Sequence, residues 1–303
     1  MKEEPSGGLV AAYVRSFAPN AGLPMTVYFN GEFVDKENVS ISPDDRGFVF
    51  ADGIYEVLRA ENGAFFQEDL HFERMARSLQ EIDLRGVDVE AVREAIHSLL
   101  YHNDLQDRLA KIYIQVTRGA APRQHAVPDP PPEPTVYATA DPHEPPLDKW
   151  DNGVKAILHP DQRWARCDIK SISLLPNVMA TTAARRADAY EAILVRDGFV
   201  TEASHSTVVG VFDGTVVTHP LTNHILPSTT RALLLDLCDA HDVPVEEIPI
   251  PEADLPDADE LMVLGTTTGV MPIVQVDDWT VADGTPGPIT RDLQTAFRAL
   301  EPA

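Results

Sequence analysis

Four Asn-Gly or Asp-Gly pairs, each set between short apolar runs, constrain this chain more than any other feature. They are Asn30-Gly31, Asn62-Gly63, Asp197-Gly198 and Asp213-Gly214. A two-residue hairpin turn matched to the twist of its strands needs positive φ at both central positions, and these dipeptides tolerate that best. The flanking runs fit: TVYF and EFV, FVFADGIYEVLRA and AFF, EAILV and FVTEAS, TVVGVF and VVTH. Two hairpins fall in each half of the chain, so both halves require antiparallel pairing. LAKIYIQVT, TVYAT, VKAILH and residues 259–264 read as further strands. Between them the apolar period changes. Phe72, Met75, Leu79 and Ile82 predict a helix over 69–84, and Val89, Val92, Ile96 and Leu99 a second one behind an Asp88 N-cap. Pro176 opens a helix near 176–189, a helix over 229–241 turns Leu233, Leu237 and Cys238 inward, and Ile289, Leu293, Phe297 and Leu300 mark the last. Hairpins mixed with helices in both halves give an α+β class.

A length of 303 residues fits two domains. DPHEPPLD interrupts the pattern, which places a boundary near 141–148 and divides the chain into a smaller domain over 25–143 and a larger one over 144–303. Residues 1–24 lack periodicity and read as an N-terminal extension. Residues 119–134 hold six prolines and read as a loop with little freedom. A net charge of −24, with only Lys2, Lys36, Lys111, Lys149, Lys155 and Lys170 as lysines, repels phosphate backbones and argues against a nucleic-acid partner. Such a surface is also similar to those of salt-adapted proteins. Two cysteines, Cys167 and Cys238, make no disulfide framework. The MKEE start is no signal peptide and no apolar run reaches membrane length, so the expectation is a cytoplasmic protein with no membrane association. The ten histidines form no HExxH or Cys–His pattern, so no metal is expected.

The residues with chemistry in them are few. Lys170 stands among Ile169, Ile172, Leu174 and Leu175. Desolvation there would lower the amine's pKa and make it a nucleophile fit for a Schiff base; the alternative is a lysine that snorkels at a strand end. Thr229 and Thr230 stand where a helix begins, Ser204 and Ser206 follow a strand, and Gly265-Thr266-Thr267-Thr268-Gly269 ends another. Hydroxyls and free amides at such places bind phosphate, or simply cap and turn the chain. Arg123-x-His125 on the proline loop can hold a carboxylate, or lie solvated.

The stretches DRGFVFADGIYEV, HFERMARSLQEI, QVTRGAAPRQH, RCDIKSISLL, YEAILVRDGFVTEAS and LGTTTGVMPI carry a resemblance. From about residue 26 to about residue 300 the chain resembles the fold-type IV pyridoxal phosphate aminotransferases, most closely the D-amino acid (D-alanine) aminotransferases. The resemblance implies a two-domain α+β fold, pyridoxal 5'-phosphate as cofactor and a homodimer. It implies that Lys170 forms the Schiff base and moves the substrate proton, and that Glu202 faces the pyridine nitrogen. Arg74 then lies near the cofactor phosphate, with Thr230 and Thr266 binding it and Thr229, Ser204, His205 and Ser206 alongside. Leu226 packs on the ring. Tyr55, Arg123 and His125 grip the substrate α-carboxylate, and Val57, Arg59 and Thr267 border the substrate pocket. The implied reaction moves the amino group of D-alanine, and of other D-amino acids, to 2-oxoglutarate, giving pyruvate and D-glutamate. His205 stands where serine is frequent, Thr207 where asparagine is, and Arg59 is similar to an arginine of the branched-chain enzymes. The alternatives are a branched-chain L-amino acid aminotransferase or an (R)-amine transaminase, against both of which Arg123-x-His125 argues. Aminodeoxychorismate lyase shares the fold, and a binding protein with an inert Lys170 lies outside catalysis altogether.

Overall fold

The computed structural model describes residues 25–300, and the extension expected over 1–24 lies outside them. The first part of the chain runs β1 (Thr26–Phe29), β2 (Glu32–Asp35), α1 (Arg46–Phe50), β3 (Gly53–Glu61), β4 (Ala64–Phe65), α2 (Glu68–Glu81), α3 (Val89–His102), β5 (Ala110–Thr117) and β6 (Thr135–Pro142). Then follow α4 (Leu147–Asn152), β7 (Val154–Pro160), α5 (Leu175–Arg186), β8 (Glu191–Arg196), β9 (Phe199–Ala203), β10 (Thr207–Phe212) and β11 (Thr215–Thr218). The last elements are α6 (Thr229–Ala240), β12 (Val245–Glu247), β13 (Ile250–Pro251), β14 (Glu260–Gly265), β15 (Gly269–Val276), β16 (Trp279–Thr280) and α7 (Pro288–Ala299).

All four turn dipeptides close hairpins, with both residues at positive φ; Asn30 stands at 49° and Gly31 at 94°. A Cβ at Gly31, Gly198 or Gly214 would meet nothing within 4 Å, so backbone conformation alone selects glycine there. The apolar run at 48–50 does not extend β3. Asp45 Oδ1 accepts from the Gly47 amide at 2.7 Å, and Ala51 closes the turn in the left-handed region, so Phe48, Val49 and Phe50 form α1 instead. α2 stops at Glu81, short of the expected residue 84, because Asp83 turns to a φ of 46° and the Leu84 amide folds back to the Leu79 carbonyl at 2.9 Å; Arg118 takes the freed carbonyls of Ile82 and Asp83 at 2.7 and 2.9 Å.

The strands make two sheets. The first has the order β2-β1-β6-β5-β3-β4 and every pair in it is antiparallel. Strand alternation sends Ile54, Leu58, Ile112 and Ile114 into one core with Phe72 and Met75 of α2 and Ile96 and Leu99 of α3. The same alternation puts Tyr55, Val57, Tyr113 and Gln115, all half-buried, on the other face. The second sheet has ten strands, in the order β12-β11-β10-β14-β15-β7-β8-β9-β13 with β16 beside β15. It is mixed: β15 with β7, β7 with β8 and β11 with β12 are parallel. Leu233, Leu234 and Leu237 of α6 and Leu293 and Phe297 of α7 pack on one side of it, joined by Phe66 from the first half. Ala180 and Ala184 of α5 cover Ala192 and Leu194 of β8. Among the described residues no helix is long and apolar enough to cross a membrane.

Candidate active site

The segment ahead of α5 crosses between the sheets. The Tyr55 amide donates to the Lys170 carbonyl at 3.0 Å, and the Ile172 amide to the Gly53 carbonyl at 3.1 Å, so this segment lies against the start of β3. The strand face that carries Tyr55 thereby meets the lysine: Lys170 Nζ is 4.2 Å from the centroid of the Tyr55 ring. The apolar surround expected for Lys170 is only partly there. Ile169 is buried in the first core and Ile172 and Leu174 are half-buried, but Leu175 begins α5 and is 70% exposed. A short apolar run cannot say which members turn outward once a helix starts within it.

Lys170 and Tyr55 open onto a cavity of about 530 Å³. Its other walls bring together residues far apart in sequence. β9 supplies Glu202, the turn after it Ser204, His205 and Ser206, the chain before α6 Leu226 and Ser228, α6 Thr229, and the turn after β14 Thr266. Arg74 of α2 also lines it. Thr230 is buried but is not among the lining residues, and neither are Val57, Arg59, Thr267, Arg123 and His125. Arg59 is buried with its guanidinium 4.8 Å from the Phe66 ring centroid, and Thr267 and Val57 are half-buried. Arg123 and His125 both lie against Phe50 of α1, at 5.4 and 5.5 Å. Their loop is held from behind by Arg46, which donates to the carbonyls of Gln124 at 2.8 Å and His125 at 3.2 Å.

Glu202 is buried, and its two oxygens have different partners. One accepts from the Leu226 amide at 2.9 Å and the other from the Arg163 guanidinium. Burial pushes the Glu202 carboxyl up, against the pull of Arg163 and of the Leu226 amide. Arg163 is shared: it also donates to Asp161 at 2.9 Å and to the His224 carbonyl at 3.0 Å. Despite its burial the Asp161 carboxyl is held down to about 2, chiefly by that hydrogen bond. Arg74 is clamped by Glu56, with two bonds of 2.8 Å, and reaches the Pro227 carbonyl at 2.9 Å. His71 stands 2.9 Å from Glu56 through Nδ1 and 3.3 Å from the Thr229 hydroxyl through Nε2. Burial pulls the His71 pKa down, so the ring is neutral near pH 7; Nδ1–H donates to the carboxylate and Nε2 accepts from Thr229. Burial opposes ionisation of Glu56, yet the Arg74 guanidinium prevails and holds its carboxyl down to about 2. His205, 46% exposed, lies 3.1 Å from the buried Glu191 through Nδ1, and its own amide donates to Glu191 at 2.6 Å. The sequence reading missed Arg163, Glu56, His71 and Glu191. A buried Glu202 demands a cation or a donor nearby, but nothing in the spacing says which arginine supplies it.

The cavity has groups suited to an anionic ligand. Ser206 Oγ is buried without a hydrogen-bond partner among the described residues. Ser228 caps α6 through the Arg231 amide at 3.1 Å, and the Thr229 and Thr230 amides head that helix. Among the described residues no group of three or more His, Cys, Asp or Glu side chains is placed to hold a metal ion.

Residues 53–276 match the amino-transferase class IV family. This chain belongs to that family. The match takes in Tyr55, Arg74, Lys170, Glu202 and Thr266, so the cavity of this class IV aminotransferase lies within the matched region. A D-alanine aminotransferase of Staphylococcus haemolyticus is 43% identical to it over 272 residues, covering 89% of this chain and 96% of that one. One of Bacillus licheniformis is 40% identical over 276 residues, covering 90% and 96%. In three dimensions the class IV aminotransferase is similar to the branched-chain amino acid aminotransferase of Escherichia coli, with a TM-score of 0.85 at 22% identity over 92% and 95% of the two chains. That likeness supports the α+β class expected from hairpins mixed with helices.

Proposed function

We propose that this class IV aminotransferase is a pyridoxal phosphate-dependent D-amino acid transaminase, which takes the amino group of D-alanine and gives it to 2-oxoglutarate. The observation that carries the reading is one cavity with Lys170 on one wall and a buried, arginine-paired Glu202 on another. The identity to D-alanine aminotransferases over nearly the whole chain supports the substrate class.

The walls suit pyridoxal phosphate. Ser206, Thr229, Thr266 and the head of α6 would hold the phosphate, Leu226 the ring face, and Glu202 the pyridine nitrogen. When bound, the cofactor supplies a carbonyl for condensation with amines and an electron sink for the charge left at the substrate Cα. Glu202 contributes basicity, because burial raises its affinity for a proton and so strengthens its bond to a ring N–H. Arg163 keeps that carboxylate from being orphaned. Lys170, over Tyr55, would take the Cα proton and give it up two bonds away, to the carbon on the other side of the substrate nitrogen. Arg74 is already matched by Glu56 in the buried state, so its part is to shape the phosphate end through the Pro227 carbonyl and, by way of His71, Thr229.

Arg123 and His125 are retained as the grip on the substrate α-carboxylate, but delivered across a homodimer. Three features support this: neither lines the cavity of its own chain, their loop is fixed by Arg46, and α1 beneath it presents Phe48 at 79% exposure. A division at 25–143 and 144–303 belongs to the proposal, supported by one sheet being built from each part. A cytoplasmic site of action is part of the same proposal. Arg59, the residue that favoured a branched-chain enzyme, is buried against Phe66 away from the cavity lining, which weighs against that alternative. The test is a pair of half-reactions: D-alanine should discharge the cofactor's visible absorption rapidly and L-leucine slowly. Faster conversion of L-leucine would hand the reading to the branched-chain class.

A further inference from the structure

Helix α2 carries four side chains along one face that all reach past the first half of the chain. They stand at positions 74, 77, 78 and 81, the spacing of a single helical stripe. Arg74 reaches the Pro227 carbonyl at 2.9 Å. Arg77 makes two bonds of 2.7 Å to one residue, Asp168, through its carbonyl and its carboxylate. Ser78 Oγ accepts from the Lys170 amide at 3.4 Å, and Glu81 accepts from Arg166 at 2.5 Å. Arg166 also closes on Asp168 at 2.9 Å, so the Asp168 carboxylate is gripped from two sides. Arg166 first and Arg77 second hold its carboxyl below the ordinary range. On the far side of the same segment, Gly53 and Tyr55 of β3 fix Ile172 and the Lys170 carbonyl.

Lys170 belongs by sequence to the second half, yet its backbone is fastened to β3 and α2 of the first. Glu202, Ser206 and Thr266 stand on the second sheet or its turns. We infer that Arg77 and Asp168 are positioning residues for Lys170, mounting its amine on the first sheet so that the packing of the two sheets sets its reach toward the Glu202 wall. A fork that takes both a backbone carbonyl and a side chain fixes direction as well as distance. The inference rests on the transaminase reading for what the amine does, but not for how it is held.

The experiment therefore has one arm without cofactor and one with it. In cofactor-free protein, Arg77→Ala and Asp168→Asn should each speed amide hydrogen exchange at residues 168–172 by at least about tenfold and leave the rest of the chain unchanged. In cofactor-loaded enzyme, kcat with D-alanine should fall by about tenfold or more while KM stays within about threefold. Arg77→Lys, which keeps the charge but not the fork, should fall between. Arg85→Ala removes only an exposed pair with Asp83 and should match wild type in both arms. Wild-type kcat in both variants overturns the inference. So does exchange that rises over the whole chain with kcat and KM changing in step, since the pair then only stabilises the fold. Local exchange at 168–172 in a protein whose wild type does not turn over D-alanine would sink the substrate reading and leave the mounting of Lys170 in place.

Discussion

Lys170 and Glu202 face one cavity, and the protein holds them by different means. Lys170 lies half-buried over an aromatic ring, whereas Glu202 is sunk beneath the surface and tied to Arg163. Lys170→Ala should leave no measurable transamination. Borohydride treatment of the loaded protein followed by peptide mapping should mark Lys170, and a mark on Lys155 or Lys111 would displace the assignment. Glu202→Gln keeps the shape and removes the charge. It should cost on the order of 2–4 kcal/mol of transition-state stabilisation, read as a fall in kcat/KM. Turnover near that of wild type would show that the ring nitrogen needs no carboxylate here.

At the scale of elements, the contact between α2 and β3 is electrostatic at its centre. Glu56 on the strand is enclosed by Arg74 and His71 of the helix. Its carboxyl is depressed from 4.5 to about 2, so the stability it adds is fully present above pH 4.5 and is lost as pH falls toward 2. Glu56→Gln should lower stability at neutral pH by roughly 3–5 kcal/mol, because it leaves Arg74 buried and unpaired. The acid limb of the stability curve between pH 4.5 and 2 should also flatten, and denaturant titrations across that range measure both effects. An unchanged acid limb would mean that other carboxylates control acid unfolding. None of this was visible in the sequence, where Glu56 is one polar residue in an alternating strand. What could be read were features that need few residues to specify: the hairpins from their turn dipeptides, α2 and α3 from their apolar period, and Asp88 as a cap, confirmed by its 3.0 Å bond to the Ala91 amide. β15 escaped because Pro272 lies inside it; the strand tolerates the proline because its pairing with β7 begins only at Ile273. Of the site, Lys170 and the hydroxyls could be found locally, and Glu202 only through the family resemblance. The charge partners, Arg163 for Glu202, Glu56 for Arg74 and Glu191 for His205, come from 14 to 39 residues away through the packing within each half, which no local pattern encodes.

The whole molecule carries a charge of −24, which opposes both compaction and association. Screening acts within a Debye length of about 8–10 Å near 0.1–0.15 M salt, so the melting temperature should rise from low salt to molar KCl; a flat or falling curve would show that self-repulsion is not a significant cost. The loop that Arg46 holds outside its own cavity has a consequence for inheritance. If each chain lends Arg123 and His125 to its neighbour, a chain with Arg123→Leu and a chain with Lys170→Ala fail for different reasons. In a mixed pair, the first still has its lysine and borrows an intact loop from the second. Random re-pairing of the two inactive proteins should then recover up to about a quarter of wild-type activity, since half the pairs are mixed and each has one working site. Two defective alleles in one cell would complement each other, and a mixture that stays dead would put the loop and the lysine in the same chain's service.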